Sequence, residues 1–227
     1  LNNTKLLGAS SSSLIKLMKF GFKNKIKFKY LYRKYDEILS CKEIDNIYVG
    51  TLNNTHYDFI IKCIDAGKNV LCEKPFVINY DQAEKIKEKI NNSNIFFLEA
   101  IAYRTHPQTI QIVELLRKKI IGKVIKIKSN FGFNAGLPKK NSRLFNYNFG
   151  GGSILDLGCY PLTMSNLIAN IHNNNKEIIP ILEDVSGEIH NLGVDLNARA
   201  KLIYSNSTKS EIDVSINENL ENITEII

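Results

Sequence analysis

The sequence predicts an α/β protein in two parts: a parallel-sheet domain over residues 1–121, then an α+β domain over residues 122–227 with a largely antiparallel, open-faced sheet. Three observations predict it. Through the first half, short apolar runs alternate with helix-like segments, as in βαβ units on a parallel sheet. At Gly122 the text changes style, and "KVIKIKSNF" from Lys123 alternates apolar and polar residues as a half-exposed strand does. Three later segments, "VSGEIHNL", "NARAKLIYS" and "KSEIDVSIN", keep that alternation, which suits an antiparallel sheet with one free face.

Each element has a local reason. "KLLGA" (Lys5 to Ala9) reads as the first visible strand, and the serine run Ser10 to Ser13 can cap a helix beginning near Leu14. An extended piece near Ile26 to Tyr30 and a helix around Lys34 to Cys41 follow. "IDNIYVGT" (Ile44 to Thr51) is the next strand, and His56 to Ala66 fits a helix stopped by Gly67. "NVLCE" is another strand, leading to a helix from Tyr80 to Ile90 with Asp81 as cap or first-turn acid. "NIFFLEA" closes this half, and a helix runs from Pro107 to about Lys119. One more helix starts after Gly150, Gly151 and Gly152 and reaches about Ala169.

Composition excludes several classes. With 44% hydrophobic residues the chain buries a core, yet no window reaches the roughly eighteen apolar residues of a membrane span. A cytoplasmic protein with no membrane partner is the expectation. Cys41, Cys63, Cys72 and Cys159 show no paired spacing, and the four histidines no ligand spacing, so packing thiols and no metal are expected. The net charge of +7 comes from dispersed lysines, with no arginine-rich tract, so no nucleic-acid partner is expected.

In an open parallel sheet, ligands bind beyond the carboxyl ends of the strands. Here those ends carry Ser10 to Ser13, "TLNNTH" (Thr51 to His56), "EKP" (Glu73 to Pro75) and "EAIAYRTHP" (Glu99 to Pro107). Each supplies hydroxyl, amide or charged groups where one ligand could lie. In "GGGSILDLGCY", Asp156 and Tyr160 stand four apart, on one helical face near its start. The glycines allow close backbone approach, but their spacing is not that of a phosphate loop.

The blocks "IDNIYVGTLNNTH", "AGKNVLCEKPFVIN", "FFLEAIAYRTHP", "IGKVIKIKSNFGF", "GGGSILDLGCYP" and "GVDLNARAKLIYSN" cover nearly the whole chain. In this order they resemble the glucose–fructose oxidoreductase, inositol dehydrogenase and rhizopine catabolism (Gfo/Idh/MocA) family, within it the dihydrodiol and xylose dehydrogenase branch. The resemblance implies an incomplete Rossmann-type domain and NAD(P)-dependent hydride transfer at a hydroxyl carbon of a sugar, cyclitol or diol. It implies Lys74 beside the nicotinamide and the substrate oxygen, with Pro75 holding the turn. A phenol with a pKa of about 10 is a poor base at neutral pH unless a cation favours its ionised form. By resemblance Tyr160 is the general acid/base, polarised by Lys74, and Asp156 orients Lys74 or holds a substrate hydroxyl. A packed tyrosine and a helix-capping aspartate are the plainer alternatives.

Further positions carry over. Thr51, Asn53 and His56 match the family's T-P-N-x-x-H turn along the cofactor, although Leu52 replaces the usual proline. Glu73 is assigned to the nicotinamide ribose and Arg104 to the nicotinamide end, while His106 and Pro107 are equally explained as a helix start. Ser10 and Ser12 lie where NAD and NADP are told apart; with no acid there to repel a 2′-phosphate and Lys16 nearby, NADP is favoured over NAD.

No G-x-G-x-x-G occurs in the chain. The expectation is therefore a family protein lacking its first strand and glycine turn, and incomplete beyond Ile227. A non-catalytic remnant acting only in binding or association is the alternative. Alternation in the second half also leads one to expect more apolar surface than a single helix layer from Ile154 to Ala169 can cover, hence a homodimer through the open sheet face, or aggregation.

Overall fold

The computed structural model describes residues 4–172 and 178–227. The chain forms two compact units: Leu1–Thr51 with Thr55–Glu99, and Leu52–Asn54 with Ala100–Ile227. The change of style at Gly122 falls inside the second unit.

Every strand pair of the first unit is parallel. β1 (Ala9–Ser10) pairs with β2 (Leu31–Tyr32), while β3 (Asn46–Val49), β4 (Asn69–Cys72) and β5 (Phe97–Glu99) form a separate sheet in that order. The extended piece expected at Ile26 to Tyr30 is instead a 3₁₀ turn over Phe28–Tyr30, which buries Tyr30 and lets its hydroxyl donate to Glu43 at 2.7 Å. That turn leaves β2 two residues, and β1 is correspondingly shorter than Lys5 to Ala9.

The helices start where capping chemistry allows. Ser13 Oγ accepts from Lys16 N at the start of α1 (Leu14–Lys23), and α2 spans Tyr35–Leu39. α3 (Asn53–Asp65) begins three residues before His56 and ends ahead of Gly67, whose φ of +66° suits glycine. Asn79, not Asp81, caps α4 (Tyr80–Asn91), leaving Asp81 in the first turn near the helix's positive end. Between sheet and helices lie Val49, Ile60, Cys63, Ile64, Val70 and Ile86. Cys63 and Cys72 belong to this core, and burial pushes the Cys63 thiol up to about 11, so these are packing groups and poor nucleophiles.

The second unit is a mixed sheet under helices. α5 (Pro107–Arg117) has proline in its first turn and His106 as its cap. β6 (Lys126–Gly132), β7 (Ile181–Ile189), β8 (Asp195–Ile203), β9 (Lys209–Ser215) and β10 (Thr224–Ile226) lie in the order β10-β6-β9-β8-β7. Only β6–β9 is parallel. A π-helical turn, Ile154–Gly158, runs directly into α6 (Cys159–Ala169).

The open face of this sheet corrects the expectation of a broad apolar surface. It carries cross-strand ion pairs: Lys126–Glu211 at 2.7 Å, Arg199–Asp213 at 2.9 Å, Lys128–Glu225 at 3.3 Å and Lys201–Asp184 at 3.5 Å. The apolar rows of β8 and β9 all turn to the other side, where Phe145 and Leu144 join Leu157 in covering Ala198, Ile212 and Val214. The 3₁₀ turn Arg143–Phe145 thus adds cover that counting one helix layer omits. Within the strands of this sheet, the exposed large apolar side chains lie on β7, all nine of whose residues are exposed, among them Ile181, Leu182, Val185 and Ile189. Among the described residues, no helix is long and apolar enough to cross a membrane, and no His/Cys/Asp/Glu cluster is arranged to hold a metal.

Candidate active site

β4 delivers Glu73, Lys74 and Pro75 at its carboxyl end. Glu73 N still donates to Val49 O at 2.9 Å, so the strand holds its register up to the turn. The Tyr48 hydroxyl donates to Glu73 Oε1 at 2.6 Å, and that bond pushes the Tyr48 phenol up to about 12. The Lys74–Pro75 peptide is cis, Lys74 is half-buried and Pro75 is buried.

Two neighbours tie this turn down. His56, fully buried, faces Pro75 O with Nδ1 at 2.8 Å and Thr51 O with Nε2 at 3.1 Å. A neutral ring donates to one of these carbonyls, a charged ring to both. His56 therefore links the Thr51 turn to the Lys74 turn. Glu99, in register with Cys72, accepts the N–H of Phe76 at 3.1 Å. Burial raises the Glu99 carboxyl above its ordinary range, opposed by that hydrogen bond and by the charge of Lys74.

The second unit holds the other groups. The three glycines each have a different reason. Gly150 has φ +69° and its carbonyl accepts Asn53 Nδ2 at 2.9 Å, both residues belonging to this unit. A Cβ on Gly151 would meet Arg143 O and Leu144 O at 2.7 and 2.5 Å. At Gly152, φ is +112° and a Cβ would collide with Asp195 Oδ1. Asp195 Oδ2 in turn accepts Ser153 Oγ–H at 2.5 Å and Ile154 N–H at 2.7 Å.

The turn that follows carries Asp156, buried and paired with Arg143 Nη1 at 2.8 Å. Tyr160 lies one turn on, its ring centroid 5.1 Å from Phe131 and 6.4 Å from Tyr103. The Tyr103 hydroxyl bonds Thr163 Oγ1 at 2.7 Å, and burial raises its phenol pKa against the counter-effects of that bond and of Arg104. Asp156 lies within the π-helical turn and Tyr160 in the first turn of α6 beyond it, so their four-residue spacing is not that of a regular α-helix; such turns recur at functional sites.

Among the remaining positions, Ser10 Oγ donates to Tyr32 O at 3.1 Å, Ser12 is exposed, and Thr51 Oγ1 accepts from Thr55 Oγ1 at 2.8 Å. Arg104 is exposed in the 3₁₀ turn Ala102–Thr105, and His106 caps α5 through Nδ1 to Gln108 N at 3.2 Å. Ser10, Thr51, His56, Glu73 and Lys74 belong to the first unit; Asn53, Arg104, Asp156 and Tyr160 belong to the second. Sequence reasoning overlooked Arg143 and Asp195, and placed Glu99 at a strand end without assigning it a partner. Glu99 and Asp195 sit inside quoted blocks, where they read as pattern and not as partners.

Residues 2–99 match the oxidoreductase family with an NAD-binding Rossmann fold, and residues 109–227 match the GFO/IDH/MocA C-terminal domain. The chain belongs to the Gfo/Idh/MocA oxidoreductase family. Among its relatives, the trans-1,2-dihydrobenzene-1,2-diol dehydrogenase of Xenopus tropicalis is 32% identical over 191 residues, which cover 84% of this chain and 55% of that protein. The NADP(+)-dependent D-xylose 1-dehydrogenase of Hypocrea jecorina is 34% identical over 139 residues, 58% of this chain and 36% of that protein. The aldose–aldose oxidoreductase of Caulobacter crescentus, solved with glycerol, shares the fold with a TM-score of 0.85 at 21% identity, over 95% of this chain and 64% of that one. A 3-ketoreductase from Actinomadura kijaniata, solved with NADP and TDP-benzene, does so with a TM-score of 0.83 at 20% identity, over 98% and 65% of the two chains. The chain thus spans about half the length of the dihydrodiol dehydrogenase relative, 55%, and matches 36% of the xylose dehydrogenase.

The residues of this family member fit a nicotinamide nucleotide in kind. In the first unit Glu73 offers a carboxylate at the end of β4 that can accept a hydroxyl; in the second, Asn54 Oδ1, buried in the first turn of α3, has no hydrogen-bond partner among the described residues. From residue 1 to 35 there are lysines and one arginine but no Asp or Glu, which favours a phosphate-bearing ligand at the end of β1.

Proposed function

We propose that the protein carrying this chain is an NAD(P)-dependent dehydrogenase of sugars, cyclitols or diols. The observation that carries the reading is Lys74, set by β4 in the Glu-Lys-Pro turn and tied down by His56 and Glu99, in a chain of this family. When bound, the nicotinamide supplies the hydride acceptor. The reacting carbon loses hydride, and its hydroxyl proton passes to the Tyr160 phenolate. Lys74 donates to the same oxygen and, as a cation, favours ionised Tyr160. Asp156, fixed by Arg143, serves as acceptor for a neighbouring substrate hydroxyl. Hydroxyl-rich substrates suit that donor and acceptor set, and the dihydrodiol and xylose dehydrogenase relatives support the class.

NADP is favoured over NAD. Support comes from the acid-free, lysine-rich stretch around Ser10, Ser12 and Lys16. Of the cofactor-contact assignments, Thr51, Asn53, Glu73 and Arg104 are retained, and His56 acts through the turn it holds. The assembly proposed is a homodimer that covers β7 and the adjoining ion-paired face, because β7 leaves Ile181, Leu182, Val185 and Ile189 exposed.

The test is reduction of NADP or NAD by the complete polypeptide carrying these residues, against aldoses, cyclitols and trans-dihydrodiols. Turnover with at least one class is expected. A protein that binds the cofactor and reduces it with none of them would contradict the reading.

A further inference from the structure

Asp195 is one strand away from the helix that carries Asp156 and Tyr160, yet it makes that helix's first contacts. Its Oδ2 takes both Ser153 Oγ–H at 2.5 Å and Ile154 N–H at 2.7 Å, and its Oδ1 occupies the space that a side chain on Gly152 would need. Ser153 is fully buried and Gly152 is buried, so water cannot take over the Ser153 bond without rearrangement, whereas the Ile154 bond lies at an exposed position. The first backbone N–H groups of a helix have no partner within it, and a carboxylate there both accepts them and complements the helix dipole. In this chain the carboxylate comes from β8, not from the residue before the helix. The start of the helix is thereby pinned to the same sheet that, through β6 two strands away from β8, supplies Phe131 against the Tyr160 ring.

We infer that Asp195 is a positioning residue for Tyr160: by holding Ser153 and Ile154 it fixes where the π-helical turn begins, and so where the phenol is carried. The same contact explains the glycine at 152. With φ at +112° and a carboxylate oxygen in the Cβ position, no other residue is accommodated there. The catalytic consequence rests on the proposal that Tyr160 moves the substrate proton; the placement of the ring does not.

The test uses the complete polypeptide labelled with 3-fluorotyrosine, the Tyr160 signal being assigned by its loss in Tyr160→Phe. Asp195→Ala removes both acceptors; Asp195→Asn keeps one oxygen for Ile154 N–H. The Tyr160 fluorine signal should move in Asp195→Ala and move less in Asp195→Asn, with Tyr30 and Tyr48 of the first unit unchanged. In parallel, kcat should fall about 10–100-fold in the alanine variant, as a misplaced group costs, with the KM for cofactor unaltered and partial recovery in the asparagine variant. Should the alanine variant fail to fold, the asparagine variant decides by its fluorine shift alone. A moved Tyr160 signal in a protein that never turns over substrate would support the inference and sink the functional reading. An unmoved Tyr160 signal in every folded variant would overturn the inference.

Discussion

Arg143 Nη1 lies 2.8 Å from Asp156 Oδ1, joining a half-exposed guanidinium to a carboxylate that is only 6% exposed. The pair accounts for how a buried acid is held in the turn before Tyr160. Arg143→Met should therefore lower unfolding free energy by about 1–2 kcal/mol, the worth of a charge-assisted hydrogen bond discounted for the exposure of Arg143. Arg143→Lys should recover part of it, since a lysine keeps the charge but not the planar fork. Urea unfolding measures both, and a methionine variant as stable as the parent would remove the pair from the account.

Glu99 makes stability depend on pH. Its folded-state value is raised, chiefly by burial, so ionising it opposes folding. That contribution is full below the ordinary carboxylate range and is lost as pH rises through the raised value. Gln at this position can still accept Phe76 N–H but cannot ionise. The stability of Glu99→Gln relative to the parent should therefore grow between about pH 4 and pH 7. A difference that stays flat or shrinks over that range would contradict the burial of the charge.

Lys74→Met and Tyr160→Phe should differ in kind. Losing the ammonium removes charge stabilisation of the reacting oxygen and should cost on the order of 100-fold or more in kcat, with little change in cofactor affinity. Losing only the phenol oxygen should remove the proton acceptor, costing about 10²–10⁴-fold and erasing the acid-side limb of the pH–rate profile for substrate oxidation, where the rate falls as the phenolate is protonated. Near-parental rates for the methionine variant would make Lys74 structural. An unchanged profile for the phenylalanine variant would pass the acid/base role to another group.

Because β7 carries the exposed large apolar side chains of the sheet strands, a single charge there should decide assembly through the sheet. Val185→Lys should convert a dimer to monomer in light scattering while leaving the helical signal intact, Val185 being exposed in the single chain. A parent that is monomeric at every concentration would show that this strand is covered otherwise.

What could be read from sequence followed the range of the interactions. The parallel strands at "IDNIYVGT" and "NVLCE", the serine cap at Ser13 and the helix following Gly152 rest on neighbours within a few residues, and all are present. β10 was not foreseen, since Thr224–Ile226 is a strand only through β6, nearly a hundred residues earlier. For the same reason the charges of β6 to β9 could not be recognised as partners: Lys126 and Glu211 meet only once those strands lie side by side. The site divides likewise. The proposed Lys74, Asp156 and Tyr160 stand in short motifs that single them out. Glu99 and Asp195 act on backbone N–H groups far away in sequence, a role that no local pattern announces.

The central claim is hydride transfer from a hydroxyl-bearing carbon, and isotope transfer tests it most directly. Substrates deuterated at that carbon would be incubated with the complete polypeptide and oxidised NADP, and the reduced cofactor examined by mass spectrometry and NMR. One deuterium per reduced nicotinamide is expected, located on the ring carbon that accepts hydride, with transfer largely lost in Lys74→Met. Reduced cofactor free of deuterium, or labelled equally well without Lys74, would contradict it.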